Sequence, residues 1–194
     1  LPPYIKRDSE PGDRENYQTV YAKVDGSVAA PTAGLHFTNR LLEKIKKKGV
    51  EIAPIILHIG LGTFRDVEVE DLTKHRMDSE YFHVPRSSVE IINKAISNQK
   101  KVVVVGTSTV RALESSVTAE GFARENRGWT DKFIYPPYDF KITKKLITNF
   151  HNPQSTLIML VCAFGGTELT MKAYKRALKE GYRMLSYGDA MMVE

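Results

Sequence analysis

The stretch KVVVVGTSTVRALES occupies residues 101–115. Four consecutive valines are β-branched and apolar on both sides of a pleat, so they suit a strand covered on both faces, as parallel strands in α/β proteins are. Gly106 ends that strand. Thr107, Ser108 and Thr109 then open a segment in which Val110, Leu113 and Val117 recur at three- and four-residue spacing, predicting a helix over residues 107–120. A strand that runs out through glycine and hydroxyls into a helix start leaves free backbone N–H groups at a strand end. An anion, a carboxylate or ribose oxygens could bind there. Thr107 or Ser108 would serve equally well as a plain helix N-cap.

Outward from this point the pattern repeats. Upstream, Ser87 and Glu90 make a capping box ahead of Ile91, Ile92, Ala95 and Ile96, which predicts a helix. Further upstream, Thr38 precedes Leu41, Leu42 and Ile45 and a lysine-rich last turn ends at Gly49, a second helix, followed by a strand over residues 50–58. Downstream, residues 146–150 read as a strand, 155–164 as a buried helix, 167–180 as an amphipathic helix stopped by Gly181, and 182–193 as a closing strand. Helices and strands alternate without an internal repeat, so the expected class is α/β, a layered α/β/α sheet with largely parallel strands. Residues 1–16 carry three prolines, one glycine and many charges without apolar periodicity, and read as a linker arm leading into a packed domain over residues 17–194.

The composition of the 194 residues, 42% hydrophobic and 26% charged, is that of a folded globular chain rather than a disordered or fibrous one. The longest apolar run, Leu157 to Phe164, is eight residues, whereas a membrane-spanning helix needs about 20. Neither a membrane partner nor export is expected, and the single cysteine, Cys162, cannot form an internal disulfide, so a cytoplasmic setting fits. Cys162 lies inside the apolar run and reads as a buried, inert thiol. A net charge of +5, from 28 Lys and Arg against 23 Asp and Glu, permits a polyanionic partner without requiring one. The cluster of Lys44, Lys46, Lys47 and Lys48 reads as the solvated face of a helix.

Generic catalytic motifs are mostly excluded. Gly60-Leu-Gly62 has Arg65 where a dinucleotide loop needs its third glycine. The five histidines, His36, His58, His75, His83 and His151, lack zinc-site spacing, so no metal is expected. What remains is a set of polar residues at predicted strand ends: Gly106 to Thr109, Arg111 and Glu114 one turn beyond, His151 after Thr-Asn-Phe, and Asp189 in Ser-Tyr-Gly-Asp. Each taken alone is also a common structural residue.

Together, seven segments resemble one family in content and order: PTAGLHF (31–37), LHIGLGTF (57–64), DSEYFHVP (78–85), VGTSTVRALES (105–115), FIYPPYDF (133–140), LITNFHNPQSTLIMLVCAFGG (146–166) and YRMLSYGDAMM (182–192). They are similar to the S-adenosylmethionine:tRNA ribosyltransferase-isomerases of queuosine synthesis, and the resemblance covers essentially the whole chain. Departures are local: Asp66, Asp78, Pro137 and Asn152, of which Asp78 argues against a catalytic histidine at its position. Members of the family are longer, with an N-terminal segment and a small β-barrel domain ahead of this point. The chain, which opens on Leu1, is therefore expected to be the latter part of the major domain and to need the missing segment for activity.

The resemblance implies transfer of the ribosyl unit of S-adenosylmethionine to the aminomethyl nitrogen of 7-aminomethyl-7-deazaguanine at the tRNA wobble position. Epoxyqueuosine forms, adenine and methionine leave, and no cofactor is used beyond S-adenosylmethionine itself. The partners implied are that tRNA and S-adenosylmethionine, with the chain acting as a monomer. Such chemistry needs a base for the sugar carbon beside the sulfonium, a proton donor for adenine and a neutral attacking amine. His36, His58 and His151 are the candidates for proton transfer, with Asp189 and Glu114 orienting an imidazole or receiving the amine's proton. Arg111 or the Thr107 helix start would hold the methionine carboxylate, and Tyr135 or Tyr187 would stack on a base. Thr32, Gly34, Gly60, Gly62, Thr63, Gly106, Ser108, Asn149 and Gly188 complete the implied substrate-binding set. The competing readings are an S-adenosylmethionine-dependent RNA methyltransferase, which lacks its glycine loop here, and a non-catalytic tRNA-binding module, for which no aromatic-rich single-strand platform is legible.

Overall fold

The computed structural model describes residues 1, 4–60, 69 and 71–194. In chain order the described elements are α1 (Asp13–Asn16), a 3-10 turn (Thr32–His36), α2 (Asn39–Lys47), β1 (Ile56–His58), a second 3-10 turn (Leu72–Lys74), β2 (Glu80–Val84), α3 (Arg86–Ser97), β3 (Val103–Val105), α4 (Thr107–Glu114), β4 (Asn126–Thr130), β5 (Lys145–Asn149), α5 (Thr156–Gly165), α6 (Thr167–Lys179) and β6 (Ala190–Val193). The chain is a mixed α/β protein. Its strands form two three-stranded sheets, β1-β2-β4 and β3-β5-β6.

The expectation of a sheet with largely parallel strands is corrected by the pairing. Only β3 and β5 run parallel among the described strands, with Val104 opposite Leu146, while β5–β6, β1–β2 and β2–β4 are antiparallel. The physical reason lies in β2, whose residues alternate between buried Glu80, Phe82, Val84 and partly exposed Tyr81, His83. One face meets the core and the other does not, which is an antiparallel habit. Even β3 is not covered on both faces, because Val103 is exposed and only Val104 is fully buried.

Several element boundaries also move for local reasons. The strand expected over residues 50–58 pairs only at Ile56–His58; Pro54, which has no N–H to offer a ladder, lies just before it. The helix after Gly106 stops at Glu114, where Ser116 turns its hydroxyl back onto the Ala112 carbonyl at 2.8 Å. α3 forms as expected, but Pro85 is its N-cap and Ser87 makes no capping bond, while Glu90 instead pairs with Arg86 at 3.2 Å. Thr38 does cap α2, accepting the Leu41 N–H at 3.2 Å. The closing strand shortens to Ala190–Val193, because residues 183–189 fold into a tight turn in which a Cβ on Gly188 would lie 2.3 Å from the Met184 carbonyl oxygen.

α4 packs against both β2 and β3 and so joins the two sheets. Around it Phe82, Val84, Val104, Val110, Leu113, Leu146, Leu160 and Val161 form the main core, each buried side chain contributing about 1.5–3 kcal/mol. A smaller cluster of Phe150, Ile158, Cys162, Tyr174 and Ala177 lies under α5 and α6. Burial pushes the Cys162 thiol pKa up, in keeping with an inert core residue. Among the described residues no single helix is long and apolar enough to cross a membrane. The leading arm is tied down: the Arg7 guanidinium holds the Asp13 carboxylate at 2.6 and 2.8 Å, and Tyr17 meets the Ser186 hydroxyl at 3.1 Å.

Candidate active site

A cleft opens where β3 and β5 end. Gly106 leaves β3 with φ 90°, a conformation that a side chain disfavours, and turns the chain into α4 without a side-chain cap on the first turn. Thr107, Ser108 and Thr109 line the cleft there. α5 begins on the same cleft: Ser155 lines it and accepts the Ile158 N–H at 3.3 Å, and Leu157 lies beside it. Two helix N-termini thus converge on one space, and their dipoles favour a negative group between them. Thr32, Ala33 and Ile59 close another side of the cleft.

Asn149, the last residue of β5, is the polar centre of the wall. It is 1% exposed, and its Nδ2 donates to the Leu185 carbonyl at 3.0 Å and lies 3.1 Å from His36 Nε2 and 3.5 Å from the Ser186 carbonyl. Carbonyls only accept, so the amide orientation is determined and His36 Nε2 must be an acceptor toward it. Oδ1 is then a buried acceptor without a hydrogen-bond partner among the described residues, and buried acceptors of this kind point to a missing donor. Leu185, which supplies one of the carbonyls, is held at φ 69°, the left-handed region that bulky residues rarely enter. Its N–H donates to the Phe150 carbonyl at 2.9 Å.

His151 lines the cleft with Nε2 2.7 Å from the Thr148 hydroxyl, and its backbone N–H donates to the Tyr174 hydroxyl at 3.1 Å. Burial pushes its pKa down to about 4, so the ring is neutral at pH 7 and a poor proton carrier. Asp189 accepts the Arg183 N–H at 2.8 Å and its guanidinium at 3.0 Å. Those contacts, with a smaller contribution from His36, hold its carboxyl below the usual range. Asp189 is therefore an ionised group whose charge reaches His36.

Of the sequence candidates, the cleft gathers Thr32, Gly106, Thr107, Ser108, Asn149 and His151, with His36 joined through Asn149. Arg111 is elsewhere. It is 2% exposed and its guanidinium meets Glu80 at 2.7 Å and the carbonyls of Lys132, Thr130 and Asp78 at 2.9, 3.0 and 3.3 Å. Burial pushes its pKa down and the Glu80 carboxylate opposes that shift. Glu114 is likewise engaged, accepting the N–H groups of Lys141, Ile142 and Thr143 at 3.0, 3.2 and 3.1 Å. Both occupy structural positions outside the cleft. His58 lies on the far face of β1, its ring 5.3 Å from that of Tyr81. Tyr135 packs on Phe133 at 4.8 Å and Tyr187 on Tyr17 at 5.5 Å. Gly34 and Gly188 serve close packing, since a Cβ on Gly34 would lie 2.1 Å from the Tyr21 hydroxyl. Gly60 follows the lining residue Ile59 with open space around it. Gly62, Thr63 and Asp66 lie outside the described residues.

Tyr4, Ser155, Leu185 and Ser186 line the cleft without having been singled out. Ser155 carried a signal, its position ahead of an apolar helical run, but it reads only as a cap. Tyr4 and Ser186, which are hydrogen-bonded to each other, are 182 residues apart, and nothing local marks their contact. Among the described residues no group of three or more His, Cys, Asp or Glu is placed to hold a metal ion.

Comparison with known proteins agrees on one family. The model of a family described as queuosine biosynthesis protein matches residues 1–193. The S-adenosylmethionine:tRNA ribosyltransferase-isomerase of Cytophaga hutchinsonii is 56% identical over 193 residues, covering 100% of this chain and 56% of the relative. The protein of the same name from Chloroherpeton thalassium is 58% identical over 195 residues, again 100% and 56%. Among solved structures, the S-adenosylmethionine tRNA ribosyltransferase of Thermotoga maritima superposes with a TM-score of 0.69 at 42% identity, covering 84% of this chain and 51% of that one. The chain thus spans a little over half the length of the curated relatives it matches. A match along nearly every residue means that the chain belongs to the family of queuosine biosynthesis proteins.

Proposed function

We propose that the cleft binds S-adenosylmethionine for transfer and isomerisation of its ribosyl group onto 7-aminomethyl-7-deazaguanine in tRNA. The observation that carries this reading is the convergence of the α4 and α5 N-termini beside the unpartnered Asn149 Oδ1. A methionine moiety presents a carboxylate and an ammonium close together. The carboxylate suits the first-turn N–H groups and hydroxyls of Thr107, Ser108 and Thr109, with the Ser155 end of α5 opposite. The ammonium suits Asn149 Oδ1, a donor answering an acceptor. Arg111 has no part in this, because its donors are already used within the core.

Proton transfer is assigned to His36. The Asn149 amide has two protons and three acceptors within reach, His36 Nε2, Leu185 O and Ser186 O, so His36 can release it without stranding an amide proton. The freed Nε2 lone pair is a base for the carbon beside the sulfonium, whose positive charge acidifies that proton. Asp189, ionised by its contacts with Arg183, stabilises the imidazolium that results. His151 stays neutral and acts by hydrogen bonding. Loss of adenine, attack by the neutral amine and closure of the epoxide with departure of methionine complete the reaction, with S-adenosylmethionine as substrate and no further cofactor.

The test is mass spectrometry of an anticodon stem-loop bearing the aminomethyl base after incubation with the protein and S-adenosylmethionine. Epoxyqueuosine with matching amounts of adenine and methionine is the expected result. Release of S-adenosylhomocysteine refutes the reading, as does an unchanged base beside intact S-adenosylmethionine when the chain is assayed within a protein of its relatives' full length, of which it spans 56%.

A further inference from the structure

The outer face of the β1-β2-β4 sheet carries two rows of side chains that the register brings together from three distant segments. His58, Tyr81 and Trp129 form one row, and Ile56, His83 and Arg127 the next. The rings of the first row touch in sequence, His58 to Tyr81 at 5.3 Å and Tyr81 to Trp129 at 5.8 Å. Trp129 is 71% exposed, an unusual position for the largest apolar side chain in a folded protein. No carboxylate occurs in either row. Asp131, which follows the last residue of β4, is felt electrostatically by the buried Arg111, and Glu125 lies before the strand begins.

We propose that this face is a stacking platform for single-stranded RNA, receiving unpaired bases of the proposed tRNA substrate. Bases stack on exposed aromatic rings whatever their sequence, and a guanidinium beside the rings answers the phosphates. His58 closes the row against the Gly26 backbone, where a Cβ on Gly26 would lie 2.8 Å from its ring, so Tyr81 and Trp129 supply the stacking surface. Adjacent strands are about 4.8 Å apart, a spacing that lets neighbouring bases lie over Tyr81 and Trp129. The inference rests on the proposed RNA substrate, but it concerns a different surface from the one that holds S-adenosylmethionine.

Trp129 is the chain's only tryptophan, so its fluorescence reports on this face alone. Titration of the protein with the anticodon stem-loop should quench that emission and protect it from acrylamide. Trp129→Ala, at an exposed site, should weaken RNA affinity about ten-fold, the scale of one lost base stack, with S-adenosylmethionine affinity unaffected. Arg127→Ala should lower the slope of log affinity against log salt by roughly 0.7 for one lost contact to a single strand. An RNA affinity unchanged in Trp129→Ala, or an emission indifferent to bound RNA, overturns the platform. So does emission already blue-shifted and shielded before RNA is added, because another occupant, such as a second copy, then covers the face. Conversion of the base with no Trp129 response sinks the platform alone, whereas quenching without conversion leaves the platform standing.

Discussion

Replacing Arg111 with methionine removes a guanidinium that is 2% exposed, along with its 2.7 Å ion pair to Glu80 and its bonds to the carbonyls of Thr130 and Lys132 at 3.0 and 2.9 Å. Breaking a buried pair from one side costs about 3–5 kcal/mol, because the remaining charge stays in a desolvated place. That is a large share of a total stability of about 5–15 kcal/mol. At roughly 2–4 °C per kcal/mol for a chain of this size, the melting temperature should fall by about 6–20 °C. Urea unfolding measured on the parent, Arg111→Met, Glu80→Leu and the double variant gives the coupling directly. The double variant should recover much of the loss, since two apolar groups replace two charges. If Arg111→Met unfolds within about 1 kcal/mol of the parent, or keeps its stability while KM for S-adenosylmethionine rises, the structural assignment is wrong. Arg111 would then return to the carboxylate-holding role that the sequence suggested.

Three further outcomes follow from the cleft. His151 has a folded pKa of about 4 against about 6.5 unfolded, so the unfolded chain takes up the proton first. Its contribution to stability is complete above about pH 7 and is lost as pH falls from about 6.5 toward 4, about 3 kcal/mol in all. His151→Gln should lose that component of the pH dependence in denaturation curves, and an unaltered slope contradicts the buried neutral imidazole. Asn149→Asp would set a carboxylate against the Leu185 and Ser186 carbonyls. It should destabilise the fold by at least about 2 kcal/mol at neutral pH, less at pH 5, and equal loss at both pH values argues against the amide orientation. Gly106→Ala would meet no close atom, the nearest being Ala33 Cβ at 3.8 Å, but must hold φ 90°. A loss of about 1–3 kcal/mol in thermal unfolding is expected from backbone strain alone, and no loss would mean that the turn before α4 is not held as described.

How much was legible in advance can be followed at particular residues. Thr38, Ser155 and Gly181 were recognisable as helix boundaries because capping depends on residues three or four apart. Ser87 misled, because Pro85 starts α3 two residues earlier and leaves the expected box inside the helix. The cleft was half legible: Gly106 to Ser108 and His151 stand at strand ends, where the local pattern alone directs attention, whereas Asn149 came only with the family resemblance. Arg111 and Glu114 were assigned to the site by nearness in sequence to Thr107, but α4 points them away from it, toward Glu80 and the 141–143 backbone.

The sequence by itself determined the α/β class, most helix positions, the polar strand ends and, through seven ordered motifs, the family. Those are matters of local periodicity, capping and motif content, and neighbouring residues decide them. Tertiary structure alone decided the strand directions, the partners of Asn149, the burial that keeps His151 neutral and the aromatic row of His58, Tyr81 and Trp129. Each of these depends on contacts between residues tens of positions apart, and the chain's local preferences do not specify which distant backbone or ring will lie alongside.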